Sequence, residues 1–230
     1  MKMSITPSAL SDYVCGQLNA HFPDKKKVKQ EAIRKSLGRV MERAEHCFSK
    51  IKNKYFCAAG GPVFNHLNAD HYAMFLYWTA NTLYQKNADP SLCSKLFLLN
   101  RSLHGVDAFY EVKLPDIFLF VHPMATMIGR AEYSDYFVVY QQCTIGSSKG
   151  VYPRLGKFTS LHPGSAVIGN CSVGDNCKIS AGSILLDQNL EDDSVYVGTT
   201  LRHLIKKSAK RLPIWVTENP VKENSKCLKK

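Results

Sequence analysis

Two histidines have residue type and setting suited to proton transfer. His122 and His162 each follow a large aliphatic residue and open an HP motif, in Val121–Gly129 (VHPMATMIG) and Leu161–Gly169 (LHPGSAVIG). Histidine exchanges its proton near neutral pH, so it is the natural base for taking a proton from a hydroxyl as the oxygen attacks a carbonyl. A carboxylate on its other ring nitrogen would fix the tautomer and stabilise the imidazolium. A donor for the developing oxyanion would complete such a site. Phase alone does not choose between the two histidines. Cys171 and Cys177, six apart, resemble a metal pair at first sight. The eight cysteines nevertheless hold no CxxC and no Cys/His metal spacing, so neither a metal site nor a secreted disulfide framework is expected.

The elements that must position these side chains announce themselves by a period of six. Leu155, Leu161, Val167, Val173, Ile179 and Leu185 are aliphatic at that spacing, and Thr159, Ser165, Cys171, Cys177 and Ser183, four places on, are small. Six fits neither a 3.6-residue helix nor a lone two-residue alternation. It fits a solenoid of short strands, three to a coil, each turning one bulky and one small residue inward. This is the hexapeptide-repeat, left-handed parallel β-helix, a rare exception to right-handed crossover. Most chains that resemble it are acyltransferases using acyl-CoA. A second block runs back through Val151, Ile145, Val139, Tyr133, Met127 and Val121, with Cys143, Phe137, Ala131 and Ala125 as its inner partners. The step from Val151 to Leu155 is four rather than six, which predicts a loop projecting around Ser147–Arg154. Without that step His122 and His162 are two full coils apart and should stack on one face. Cys143, Cys171 and Cys177 then become core.

The front of the chain reads as helical. A short helix over Ser8–His21 carries Leu10, Val14 and Leu18, and Asp24 could cap a second with Val28, Ile33, Leu37, Val40, Ala44, Cys47, Phe48 and Ile51 on one face. Asp70 could cap a third over Ala73–Tyr84, with Trp78 in the helix core, and Pro90 opens a fourth that ends near His104–Gly105. The expected organisation is therefore residues 1–105 helical, 106–200 left-handed β-helix and 201–230 a basic tail. That last stretch holds nine basic residues against two acidic within a formal net charge of +11. A solvated tail, an anionic surface or nucleic acid would all suit it, but it lacks the aromatic interleaving of a single-strand binder. Met1–Pro7 has no apolar signal core and no run of eighteen apolar residues exists, which predicts a cytoplasmic protein without stable membrane insertion.

The solenoid segment resembles that of bacterial serine acetyltransferases, which also carry a helical amino-terminal domain. Gln141–Gly146 (QQCTIG) is similar to that family's glutamine-to-TLG stretch, and Asn170, Val173, Gly174 and Ile179–Ser183 (ISAGS) to its last coils. In that family the catalytic histidine stands seven residues before a glycine, as His122 does before Gly129. The partner aspartate lies fifteen residues before the histidine and after a valine, a position held here by Asp107 after Val106. The resemblance thus implies His122 as general base and Asp107 as its orienting carboxylate. On its own Asp107 is an ordinary turn residue. His104, three residues earlier, could line the same pocket, while Asp135, between Ser134 and Tyr136, reads as a coil-turn residue.

The resemblance further implies acetyl-CoA as co-substrate and no metal. The pantetheine arm would lie between neighbouring solenoids against Ser147, Pro163 and Ala181, with Gly164 and Gly182 allowing close approach. Arg202, Lys206 and Lys207, near the solenoid's end, could meet the phosphates. Such a groove implies a homotrimer or a dimer of trimers. The departures concern the acceptor. Val121 replaces a serine-binding aspartate, and Val151 and Tyr152 replace an Arg-His pair in the projecting loop. Losing those charged contacts weakens the case for a zwitterion. A sugar hydroxyl or amine, as in bacterial surface-polysaccharide biosynthesis, becomes a serious alternative to serine, and Tyr152 would suit stacking on a sugar ring. Docking on cysteine synthase is not expected, because the chain ends at Lys230 rather than the family's isoleucine. A trimeric scaffold without catalysis is the non-enzymatic alternative.

Overall fold

In the computed structural model, which describes residues 1–207 and 210–216, four helices precede a parallel β-solenoid. Helix α1 spans Pro7–His21, α2 Gln30–Phe48, α3 Ala69–Gln85 and α4 Pro90–His104. Helix α1 starts where Thr6 accepts the Ala9 amide, and it buries Leu10, Val14 and Leu18 as expected. Helix α2 begins six residues after Asp24, because that carboxylate is engaged elsewhere: it accepts from the Lys26 amide and from the Lys95 ammonium at 2.7 Å. Helix α3 is capped by Asn68, not Asp70. Helix α4 ends on Gly105 in the left-handed conformation that favours glycine. No helix among the described residues is long and apolar enough to cross a membrane.

The solenoid has three strand columns. One face stacks 106–108, 126–128, 144–146, 166–168 and 184–186. A second stacks 118–120, 137–139, 160–161, 178–179 and 194–199, and a third stacks 132–133, 154–155 and 172–173. All these pairings are parallel. From Leu155 to Leu185 the six-residue columns are as expected: every aliphatic and every small partner named above is buried. Cys143, Cys171 and Cys177 are core. The projecting loop is also present. Ser148 and Val151 exchange backbone hydrogen bonds around Lys149 and Gly150, a two-residue turn with both φ positive.

The first coil departs from the sixfold count. Its inward residues are Phe120 and Ile128, eight apart, where the next coil has Val139 and Ile145, six apart. Met127 is 54% exposed rather than inward, and Val121 is only half-buried. Val121, Tyr140, His162 and Ser180 occupy equivalent rungs, each donating its amide to the coil above (Val139, Leu161, Ile179 and Tyr196). Ala125 and Gln142 are likewise equivalent left-handed residues. The two extra residues in the first corner are therefore His122 and Pro123.

Helix α3 closes the solenoid at this end. Trp78 and Tyr77 set their rings 5.2 and 5.8 Å from Phe118, and the Tyr77 hydroxyl donates to Val112 while receiving the Leu114 amide. At the other end, residues 202–207, the start of the basic stretch, form a strand antiparallel to 194–199. Beyond it, residues 210–216 return to the helical unit: Trp215 bridges Ile51, stands 7% exposed, and packs edge-on to Tyr136. Lys222, Lys226, Lys229 and Lys230, part of the expected basic tail, lie outside the described residues.

Candidate active site

The inserted pair pushes His122 out of the corner. Its side chain is 82% exposed, its φ is +47°, and its amide leaves the ladder to donate to Asp70 Oδ1 at 2.9 Å. The same oxygen lies 3.9 Å from His122 Nδ1. Asp70 sits in the first turn of α3 with its side chain 14% exposed, and burial raises its pKa against the lowering effect of the His122 contact. His122 and Asp70 line a cavity of about 580 Å³ with Val121, Tyr140, Asn53 and Tyr55. Leu119, Phe56, Asn68, Ala69 and Ile214 complete its walls, so helices, solenoid and the returning segment all contribute.

Within one chain, Asp107 is placed apart from His122. It lies opposite Met127, five residues past His122, and its carboxylate faces Arg101 at 3.5 Å. No hydrogen bond or ion pair joins it to His122. The cause is the inserted pair: with a step of 20 from Asp107 to Met127, it is Gly105 that meets Ala125, the residue three after the histidine. Asp107 is thereby carried two residues, about 7 Å, further along the strand. It lines a second cavity of about 360 Å³, with Met127, Gly129, Thr144, Ser147 and Tyr152.

The remaining expected residues divide between these places. Pro163 with Gly164 and Ala181 with Gly182 form the next corners on the His122 edge. Both glycines have positive φ, and a side chain at Gly182 would meet open space. Ser147 and Tyr152 instead flank the projecting turn. His104 does not line either cavity: its Nδ1 pairs with Asn100, and burial lowers its pKa to about 4. Asp135 is the turn residue expected, accepting the Ile117 amide. His162 shares the edge with His122 but not its rung. It stacks on Tyr140 at 5.2 Å, has no carboxylate partner among the described residues, and its pKa is lowered by burial and by Lys178.

Arg202, Lys206 and Lys207 lie on the terminal strand, exposed, with Lys207 3.6 Å from Glu191. Four strand spacings, about 19 Å, separate that strand's partner from the rung beside His122. Asp70 is the functional candidate that sequence reading passed over as a helix cap. Its signal was present: Asn68, two residues earlier, is itself a good cap and leaves the aspartate spare.

No family model matches the chain. A serine acetyltransferase of Synechococcus elongatus is 29% identical over 156 residues, 66% of this chain and 63% of that protein. One of Helicobacter pylori is 27% identical over 140 residues, 59% of this chain and 81% of that protein. The match to the first of these thus spans under two thirds of the relative's own length. Among solved structures, the serine acetyltransferase of Neisseria gonorrhoeae superposes with a TM-score of 0.69 at 18% identity, covering 90% of this chain and 80% of that one. The Brucella abortus enzyme in complex with coenzyme A gives 0.66 at 14%, covering 91% and 85%. The chain is related in sequence to serine acetyltransferases and has their fold, helices followed by a hexapeptide-repeat β-solenoid.

Proposed function

We propose that the chain is an acetyl-CoA-dependent O-acetyltransferase with His122 as its general base. The observation that carries this reading is the edge of the solenoid: an exposed histidine beside a 580 Å³ cavity, with the open glycine corners of Gly164 and Gly182 above it. His122 Nε2 takes the acceptor hydroxyl proton as that oxygen attacks the acetyl carbonyl carbon. The carbon–sulfur bond then breaks, and the imidazolium returns the proton to the departing thiolate, so CoA leaves as the thiol. The pantetheine arm follows Pro163–Gly164 and Ala181–Gly182 toward Arg202, Lys206 and Lys207. A trimer completes the groove, bringing the cavity of Asp107, Ser147 and Tyr152 against a neighbouring copy. Exposed Met127, Ile184 and Leu186, all on one face, favour such packing.

The lining of the larger cavity favours a sugar hydroxyl over serine. Tyr55, Phe56 and Tyr140 offer aromatic faces, Asn53 and Asn68 offer amides, and among the described residues no lysine or arginine lines it to hold a carboxylate. A CoA-release assay with acetyl-CoA, L-serine and a panel of free and nucleotide-linked sugars tests both readings. Turnover with a sugar and none with serine is expected. Serine turnover at ordinary efficiency would contradict the acceptor assignment. Failure to bind acetyl-CoA at all would favour a non-catalytic scaffold.

A further inference from the structure

We infer that Asp70, from the helical unit, is the positioning carboxylate of His122, in the place that the family resemblance gives to Asp107; this rests on His122 being the base. Three independent features converge. The His122–Pro123 insertion turns the histidine amide out of the solenoid ladder, and Asp70 Oδ1 receives it at 2.9 Å. That oxygen also faces Nδ1 at 3.9 Å, so a small rotation of an exposed ring closes a hydrogen bond. Asp70 is not needed as a cap, because Asn68 accepts the first amides of α3.

With Nδ1–H donated to Asp70, the Nε2 lone pair is left for the acceptor. The ionised carboxylate also stabilises the imidazolium formed as the proton is taken. The titratable groups facing this pair are few. The 53–56 loop contributes Tyr55, with Lys54 over its ring, and the next corner contributes Tyr140, stacked on His162. Among its described residues the returning segment contributes Ile214 alone, and the neighbouring His71 turns its Nδ1 to the Asn65 amide inside an aromatic box. No second acid lines the cavity among the described residues.

The test compares Asp70→Asn, Asp70→Glu and His122→Ala in the full-length protein, by CoA release across pH. Asparagine keeps an acceptor for the His122 amide but loses the charge. Asp70→Asn should lower kcat about 10- to 1000-fold with little change in KM for acetyl-CoA. Its acid limb should move to lower pH, since the imidazolium is no longer stabilised. Asp70→Glu should restore part of kcat. A drop of equal size at every pH, with the limb unmoved, marks a structural role and overturns the inference, as does an unchanged kcat. Activity surviving in His122→Ala would instead remove the base. Ring-nitrogen NMR of the wild-type protein gives a second readout that needs no variant: above its titration His122 should carry its proton on Nδ1, and a proton on Nε2 contradicts the inference.

Discussion

His122 shows how one residue can be found from sequence while its setting is not. The HP motif and the seven-residue step to a glycine are shared with His162, and only the family resemblance singles His122 out, while its partner could not be counted from a coil of assumed length. The pair His122–Pro123 is itself the irregularity that shifts Asp107 along its strand and points the histidine at α3. Asp70 was hidden because a residue in a helix's first turn has an ordinary explanation. A different histidine carries a pH prediction. His71 is fully buried among Phe48, Phe56 and Phe64, with its Nε2 unpartnered, and burial lowers its pKa to about 4. The unfolded chain binds that proton more tightly, so the contribution is whole above pH 6.5 and is lost as pH falls toward 4. The loss is on the order of 3 kcal/mol. Urea unfolding at pH 7 and pH 4.5 should show a smaller drop in midpoint for His71→Phe than for the wild type; equal drops would assign the acid sensitivity to other groups.

At the scale of elements, strict repetition made the later coils legible and its absence hid the first. From Leu155 to Leu185 the inward columns were readable, because a one-residue slip would expose the whole aliphatic column. The first coil lies against α3 and is sealed by helix side chains, so the sixfold rule relaxes there and Met127 faces out. Replacing Cys171 with leucine should overpack an inner column with no room to relax, costing roughly 1–3 kcal/mol in chemical denaturation; an unchanged midpoint would show a cavity beside it. The returning segment escaped sequence reading because its charge masks a short apolar anchor. Trp215→Ala should cost about 3 kcal/mol and loosen the wall that Ile214 gives the larger cavity. Proteolysis that cuts wild type and variant alike after Lys210 would argue against that anchoring.

For the whole molecule, the helical unit is part of the cavity beside His122 rather than an appendage. It supplies Asn53, Tyr55, Asn68 and Asp70 to the cavity whose other wall is solenoid. Assembly extends the same logic, since the cavity holding Asp107 and Tyr152 opens on the face that carries Met127, Ile184 and Leu186. Ile184→Lys should split the proposed trimer in sedimentation and lower turnover with it; a fully active monomer would separate assembly from catalysis. The central claim is that acyl transfer runs through the histidine at the inserted corner. Its most direct measurement is the steady-state kcat of His122→Ala, on protein matched to the wild type in melting and in oligomeric state. The account predicts a fall of about 10²- to 10⁴-fold with acetyl-CoA binding retained. A folded His122→Ala protein that turns over at the wild-type rate would contradict it.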